Sequence, residues 1–171
     1  MLGLKTIIAV DILPNRLSLA TEVGATFTMN SKDMTKEELA LAIHSLPPFT
    51  EGKTAPFGPS GIVDTTGHPF MIQAALAAVN RMGTVVQLAN HGPGSFVSVG
   101  LPEHMRDGVR LIGTIQGDAD PRKSIPMLIR WYREGKLPLE KLEKMFKVDD
   151  WEAAKEEMQR GVTVKPVLTW R

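Results

Sequence analysis

The sequence predicts an α/β fold, a doubly wound sheet of mainly parallel strands with helices on both faces. Three observations carry this. Short β-branched apolar runs recur along the chain, each of strand length. Between them lie stretches with apolar residues at i, i+3, i+4 and i+7, the spacing of one helix face. Proline or glycine marks most junctions. The resulting alternation, β-α-β-α-β-α-β-α, is that of parallel strands joined by crossover helices. At 171 residues the chain is expected to form one domain with a core of ordinary size.

Residues 5–11 are a nearly continuous apolar run and predict a strand buried on both faces. Pro14 opens a helix with Leu17, Ala20 and Thr21 on one face, and Gly24 ends it. A second strand is expected over 25–29. A helix over 35–46 follows, with Leu39, Ala42, Ile43 and Leu46 at helical spacing and Pro47–Pro48 as its stop. Residues 47–60 hold four prolines and two glycines without apolar period, which predicts an irregular loop within the domain.

The strand–helix pattern resumes at once. Residues 61–65 read as a strand, and 69–82 as a helix with Ile72, Ala75, Leu76 and Val79 inward, stopped by Gly83. Residues 84–89 form the next strand, with a turn at 91–94. Residues 109–114 are another strand. Asp120 and Pro121 suit the N-cap and first turn of a helix carrying Ile125, Leu128, Ile129 and Tyr132. A last helix begins after Asp149 or Asp150, with Trp151, Ala154 and Met158 on one side. An apolar stretch over 162–170, broken by Pro166, closes the chain.

Composition narrows the function. Lys+Arg is 20 and Asp+Glu is 19, a net charge of +1, which argues against nucleic acid as the main partner. No run approaches the ~20 apolar residues of a membrane span, and the first residues lack the pattern of a signal peptide. A cytoplasmic protein is the expectation. The absence of cysteine excludes disulfides and thiolate metal sites within this chain. His44, His68, His91 and His104 have no paired ligand spacing, so exposed or capping roles are expected of them. Trp131 and Trp151 read as helix-packing anchors, Arg122 and Lys123 as solvated, and Asp64 and Asp118 as turn and cap residues.

Asp11 ends the first strand. Ligands in doubly wound folds sit beyond the carboxyl ends of the strands, where a carboxylate can accept two hydrogen bonds from a ribose diol and repel a 2′-phosphate. The same position equally suits a cap for the following turn. Arg16 either reaches an adenosine phosphate or lies in solvent.

Residues 7–26, Ile-Ile-Ala-Val-Asp-Ile-Leu-Pro-Asn-Arg-Leu-Ser-Leu-Ala-Thr-Glu-Val-Gly-Ala-Thr, resemble the second strand and following helix of the coenzyme domain in medium-chain, zinc-type alcohol dehydrogenases. Val63-Asp64-Thr65-Thr66-Gly67 resembles that domain's fourth strand and turn. Gly113-Thr114-Ile115-Gln116-Gly117-Asp118, with Pro121-Arg122, resembles the strand and helix that close its coenzyme site. Gly161-Val162-Thr163-Val164-Lys165-Pro166-Val167-Leu168 resembles its return strand. Asp118-Ala-Asp-Pro-Arg and Trp131-Tyr132-Arg133-Glu-Gly-Lys are most similar to aryl- or benzyl-alcohol dehydrogenases. The likeness runs through the whole chain in order, although each motif alone is weak.

The resemblance implies a Rossmann-like domain that binds NAD, with roles carried over position by position. Asp11 would take the adenosine ribose hydroxyls, favouring NAD over NADP, and Arg16 would flank the adenosine. Lys165 would face the pyrophosphate. Leu88, Ala89 and Asn90 would line the nicotinamide side, and Gly113, Thr114, Ile115 and Gln116 would offer backbone groups to the carboxamide.

Two parts of the family pattern are missing. The Gly-x-Gly-x-x-Gly turn that brings pyrophosphate to a helix N-terminus does not occur. Met1-Leu2-Gly3 resembles the tail of the helix that should follow it. The expected fold is therefore truncated at its N-terminus, lacking the first strand and glycine-rich turn, with neighbours that re-pair, associate through their edges or stay marginally folded. Residues 1–171 would be a partial NAD-binding domain with a return segment over about 146–171. The zinc-bearing catalytic domain is also absent, so the family's zinc has no ligands here and NAD binding would be weak or lost.

Two functions follow. One is the coenzyme-binding portion of an NAD-dependent oxidation of an aryl or other primary alcohol to an aldehyde, inactive alone. The other is a non-catalytic nucleotide-binding or association module, with residues 84–100 carrying a sheet-edge homodimer contact.

Overall fold

The computed structural model describes residues 3–52 and 57–170. Its elements run β1 (Ile8–Asp11), α1 (Pro14–Glu22), β2 (Phe27–Asn30), α2 (Lys36–His44), α3 (Pro47–Thr50), β3 (Gly61–Asp64), α4 (Pro69–Ala78) and β4 (Thr84–Gln87). They continue with α5 (Leu101–Asp107), β5 (Arg110–Gly113), α6 (Pro121–Arg133), β6 (Glu143–Lys147), α7 (Trp151–Gln159) and β7 (Lys165–Thr169). The expected α/β alternation and parallel pairing are present, but the strands fall into three sheets: β1-β2, β3-β4-β5 and β6-β7. The chain forms two compact units, residues 1–32 with 120–171, and residues 33–119.

In the first unit β1 and β2 are parallel, with Asp11 opposite Asn30, and α1 connects them. Pro14 stands in the first turn of α1, where an amide hydrogen has no partner to lose. Gly24, at φ +115, carries the chain out of the helix. β1 is shorter than the expected 5–11 and half-buried throughout, because β2 is its only strand neighbour among the described residues. Gly3, at φ +71, is not helical. Met1 and Leu2 of the expected helix tail lie outside the described residues, as do 53–56 of the expected loop.

The second unit holds most of the buried apolar side chains. Ile72, Ala75 and Val79 pack with Val85 of β4 and with Val109, flanked by Ile62, Leu76 and Val97. These include all four residues expected to point inward from the helix after Pro69. Leu39 and Ile43 of α2 are also buried, as are Ala74 and Ala78 of α4. Thr35 starts α2 with a capping box: its Oγ1 accepts from the Glu38 amide at 3.2 Å, while Glu38 Oε2 accepts from the Thr35 amide at 2.8 Å.

Several expectations need correction. Residues 47–50 form one helical turn, α3, because Pro47 and Pro48 occupy the first-turn positions that tolerate a missing donor. α4 ends at Ala78, four residues early, since the Asn80 amide donates to Pro59 at 2.9 Å instead of continuing the helix. α5 was not expected; Pro102 lies near its start and Gly108, at φ +60, ends it in the left-handed conformation. β6 was likewise missed. Pro166 does not break the last strand: among the described residues β7 pairs on one side only, with β6, so a residue without N–H is accommodated. On α6, Ile125, Leu128, Ile129 and Tyr132 form the expected stripe but are all exposed. On α7, Ala154 is buried while Trp151 and Met158 are exposed.

Glu157 ties β6, α7 and the segment before β7 together. Both its oxygens accept from Lys144 Nζ, at 2.7 and 2.8 Å, and Oε2 also accepts from Thr163 Oγ1 at 2.6 Å. The Lys144 hydrogen bonds, followed by that of Thr163, hold this carboxyl below its ordinary range. A carboxylate depressed on folding stabilises above its unfolded pKa, and that contribution fades as pH falls through the folded value. Glu157→Gln is therefore expected to melt lower than the wild type at neutral pH, with the two melting curves converging in acid below the carboxylate's titration. Parallel melts across pH check it; a pH-independent gap would contradict the assignment.

Candidate functional site

The sequence-predicted site residues divide between the two units. In the first, Asp11 stands at the carboxyl end of β1, half-buried. Its Oδ1 accepts from the Ile12 amide at 2.7 Å and the Leu13 amide at 3.0 Å. Both readings of this residue thus have an atom: Oδ1 caps the turn into α1, and Oδ2 accepts no hydrogen bond from the described residues. Arg16 lies in the first turn of α1, and its Nε is buried without a hydrogen-bond partner among the described residues. A buried guanidinium N–H without an acceptor is costly, so this atom calls for an acceptor. Lys165 is exposed at the first position of β7, its amide bonded to the Leu142 carbonyl at 3.0 Å.

In the second unit, Leu88, Ala89 and Asn90 follow β4, which ends at Gln87 rather than Ala89. The Leu88 and Ala89 amides donate to the Asp64 carbonyl, at 3.0 and 3.2 Å. That leaves Leu88 and Asn90 exposed just past the carboxyl ends of β3 and β4. Gly67, at φ +72, passes so close that a Cβ there would lie 2.7 Å from the Asn90 carbonyl oxygen. Only glycine fits both the backbone conformation and the space.

Gly113 ends β5, and the Thr114 amide is already bonded to the Gln87 carbonyl at 3.1 Å. Ile115 is 82% exposed. Gln116, Gly117 and Asp118 take φ values of +53, +68 and +51, three left-handed residues in succession. Each non-glycine residue so placed costs roughly 1–2 kcal/mol. The Asp118 amide bonds to Ile115 at 2.9 Å, and Asp118 Oδ2 accepts from Thr114 Oγ1 at 3.0 Å. Asp118 is thus the turn residue expected.

Sequence reasoning missed one cluster. His68 is the cap expected, with Nδ1 accepting from the Phe70 amide at 3.3 Å. His91 is not exposed: its side chain is 9% accessible, and Nε2 lies 3.6 Å from Oδ2 of Asp64, itself 2% accessible. His91 Nδ1 is 3.0 Å from Gln87 Nε2 and 3.2 Å from the Ala89 carbonyl. Asp64 Oδ1 accepts from the amide and hydroxyl of Thr66, at 3.1 and 2.6 Å. Asp64 is a turn residue as expected, but a buried one facing an imidazole. No spacing rule links positions 64 and 91, so the sequence carried no signal for the pair.

The donor sets decide which groups fit. Asp11 Oδ2 offers the acceptor that a ribose diol requires, and the Arg16 guanidinium carries a donor, Nε, without a partner among the described residues. A metal fits less well: the described residues contain no cluster of three or more His, Cys, Asp or Glu side chains that could hold one.

Comparison with known proteins gives a consistent picture. Residues 1–134 match the family model described as zinc-binding dehydrogenase. Geraniol dehydrogenase of Castellaniella defragrans is 29% identical over 168 residues, covering 98% of this chain and 42% of its own length. Benzyl alcohol dehydrogenase of Acinetobacter calcoaceticus superposes with a TM-score of 0.85 at 30% identity, over 97% of this chain and 43% of that one. An alcohol dehydrogenase zinc-binding domain protein of Burkholderia ambifaria gives 0.84 at 30% identity, over 96% and 41%. The chain therefore spans less than half the length of these relatives.

Proposed function

The chain belongs to the zinc-binding dehydrogenase family, and from that premise we propose that it is the coenzyme-holding portion of an NAD-dependent alcohol dehydrogenase. The overall reaction is oxidation of an aryl or other primary alcohol to its aldehyde. The chain's fold is the Rossmann-like coenzyme-binding fold of its structural neighbours. The observation that carries the reading is the divided carboxylate of Asp11, with one oxygen anchored to backbone and the other left for a ligand at the carboxyl end of a strand.

When bound, NAD supplies the hydride acceptor. This chain's part is to hold and orient it. Asp11 Oδ2 accepts from the adenosine ribose diol, and Arg16 supplies a donor beside it. Lys165 faces the pyrophosphate with an exposed cation. Leu88, Ala89 and Asn90 line the nicotinamide, and the backbone of Gly113, Thr114, Ile115 and Gln116 meets the carboxamide. The substrate class rests on the benzyl alcohol and geraniol dehydrogenases among the relatives. Titration of the chain with NADH, followed by nicotinamide fluorescence, tests the reading. Weak but saturable binding competed by NAD is expected, and no binding at millimolar coenzyme overturns a coenzyme-holding role for this chain alone.

The proposal extends to a homodimer and to a cytoplasmic location. No helix among the described residues is long and apolar enough to cross a membrane, and without cysteine the chain has no disulfide to form in an oxidising compartment. β4 lies between β3 and β5, so residues 84–87 of the expected contact are not a sheet edge; among the described residues the edge is β5, whose four residues are all exposed, Leu111 and Ile112 among them. An edge of that kind pairs readily with a second copy. Sedimentation is expected to give a dimer, and Ile112→Lys a monomer. A monomeric wild type contradicts this contact.

A further inference from the structure

Asp64 and His91 form the most deeply buried acid–base pair among the described residues of the second unit. Its surroundings explain what it can do. Asp64 reaches the segment after β4 twice. Its carbonyl accepts from the Leu88 and Ala89 amides, at 3.0 and 3.2 Å, and its Oδ2 faces His91 Nε2 at 3.6 Å. Neither of those two side-chain atoms has a hydrogen-bond partner among the described residues. The imidazole faces the Asp64 carboxylate with Nε2 and, with Nδ1, the Gln87 side-chain nitrogen Nε2 at 3.0 Å and the Ala89 carbonyl at 3.2 Å. The ring therefore joins the last residue of β4 to the last residue of β3 across the base of residues 88–90. Among the described residues the side chains of 88–90 make no hydrogen bonds, and a Cβ on Gly67 would lie 2.7 Å from the Asn90 carbonyl oxygen.

We propose that Asp64 and His91 are positioning residues that clamp residues 88–90 in the conformation that meets the nicotinamide. This rests on the coenzyme reading above. Neither side chain touches the coenzyme in this role; both act through the backbone they fix.

The test compares the full wild-type chain with His91→Leu, His91→Gln and Asp64→Asn. Glutamine puts an amide N–H near the position of Nε2, whereas leucine fills the space without a donor. Asparagine keeps the Asp64 shape and the acceptor for Thr66, and guards against a His91 variant that fails to fold. Two measurements are made: amide hydrogen exchange at Leu88 and Ala89, and affinity for NADH beside AMP, which lacks the nicotinamide half. His91→Leu and Asp64→Asn are expected to speed exchange at Leu88 and Ala89 about tenfold or more, leaving Val85 and Val86 protected. They weaken NADH about tenfold with AMP unchanged, and His91→Gln restores most of both. Unchanged exchange overturns the clamp, and so does an equal loss of AMP and NADH, which marks general unfolding. Faster exchange with undiminished NADH affinity overturns the link to coenzyme. A wild type that binds neither nucleotide overturns the coenzyme reading and this role with it, while the exchange data still report whether the clasp exists.

Discussion

Asp11→Asn is expected to lower NADH affinity by about ten- to a hundredfold while leaving the melting temperature nearly unchanged. The split follows from the two oxygens. Oδ1, which accepts from the Ile12 and Leu13 amides, is retained as the asparagine carbonyl, so the turn into α1 keeps its cap. Oδ2 becomes an amide donor, and a ribose diol that needs an acceptor meets N–H groups instead. Hydrogen bonds to a charged partner are worth about 1.5–3 kcal/mol each, and each 1.4 kcal/mol is tenfold in affinity. Loss of the charge also removes the repulsion of a 2′-phosphate, so NADPH should gain on NADH. Parallel fluorescence titrations with both coenzymes, beside thermal melts, measure all three quantities. Unchanged NADH affinity with an intact melt would show that Asp11 is a cap and nothing more.

What made Asp11 legible from the sequence was position. A β-branched run that stops at an acidic residue, followed by proline and a helical face, fixes the carboxyl end of a strand without reference to anything distant. The same local logic read most of the fold correctly. Leu39, Ala42 and Ile43 at helical spacing announce α2, Asp120 and Pro121 the start of α6, and Gly24 the end of α1. The elements that were missed have no such local signal. β6 is Glu-Lys-Met-Phe-Lys, without alternation, and it forms because β7 lies beside it and Lys144 reaches Glu157. α5 carries only two large apolar side chains, Leu101 and Met105, too few to set a helical period.

His91 failed to be read for a related reason. In the sequence it sits among Asn90, Gly92 and Pro93, the company of an exposed turn. Its burial depends on Asp64, twenty-seven positions earlier, and on the parallel register that sets Asp64 beside Gln87. α6 shows the opposite failure. Its stripe of Ile125, Leu128, Ile129 and Tyr132 has the right period, yet those side chains remain exposed. Periodicity identifies a helix, but it does not supply the surface that the helix covers.

The second large effect is expected at Gly67. Gly67→Ala meets two separable penalties, and a second glycine allows them to be told apart. Gly67 has φ +72 and a Cβ position 2.7 Å from the Asn90 carbonyl oxygen. Gly135 has nearly the same angle, φ +68, with nothing within 4 Å of its Cβ position. Forcing an alanine into the left-handed region costs about 1–3 kcal/mol, and Gly135→Ala is expected to show that cost alone. Gly67→Ala adds the displacement of backbone atoms, which cannot swing aside as a flexible side chain would. It should therefore melt several degrees below Gly135→Ala. Because the displaced atoms belong to Asn90, it should also lose most NADH affinity, while Gly135→Ala keeps it. Equal melting temperatures would mean that the contact relaxes freely. Equal NADH affinities would mean that the loop after β4 does not need to stay where Gly67 holds it for coenzyme to bind.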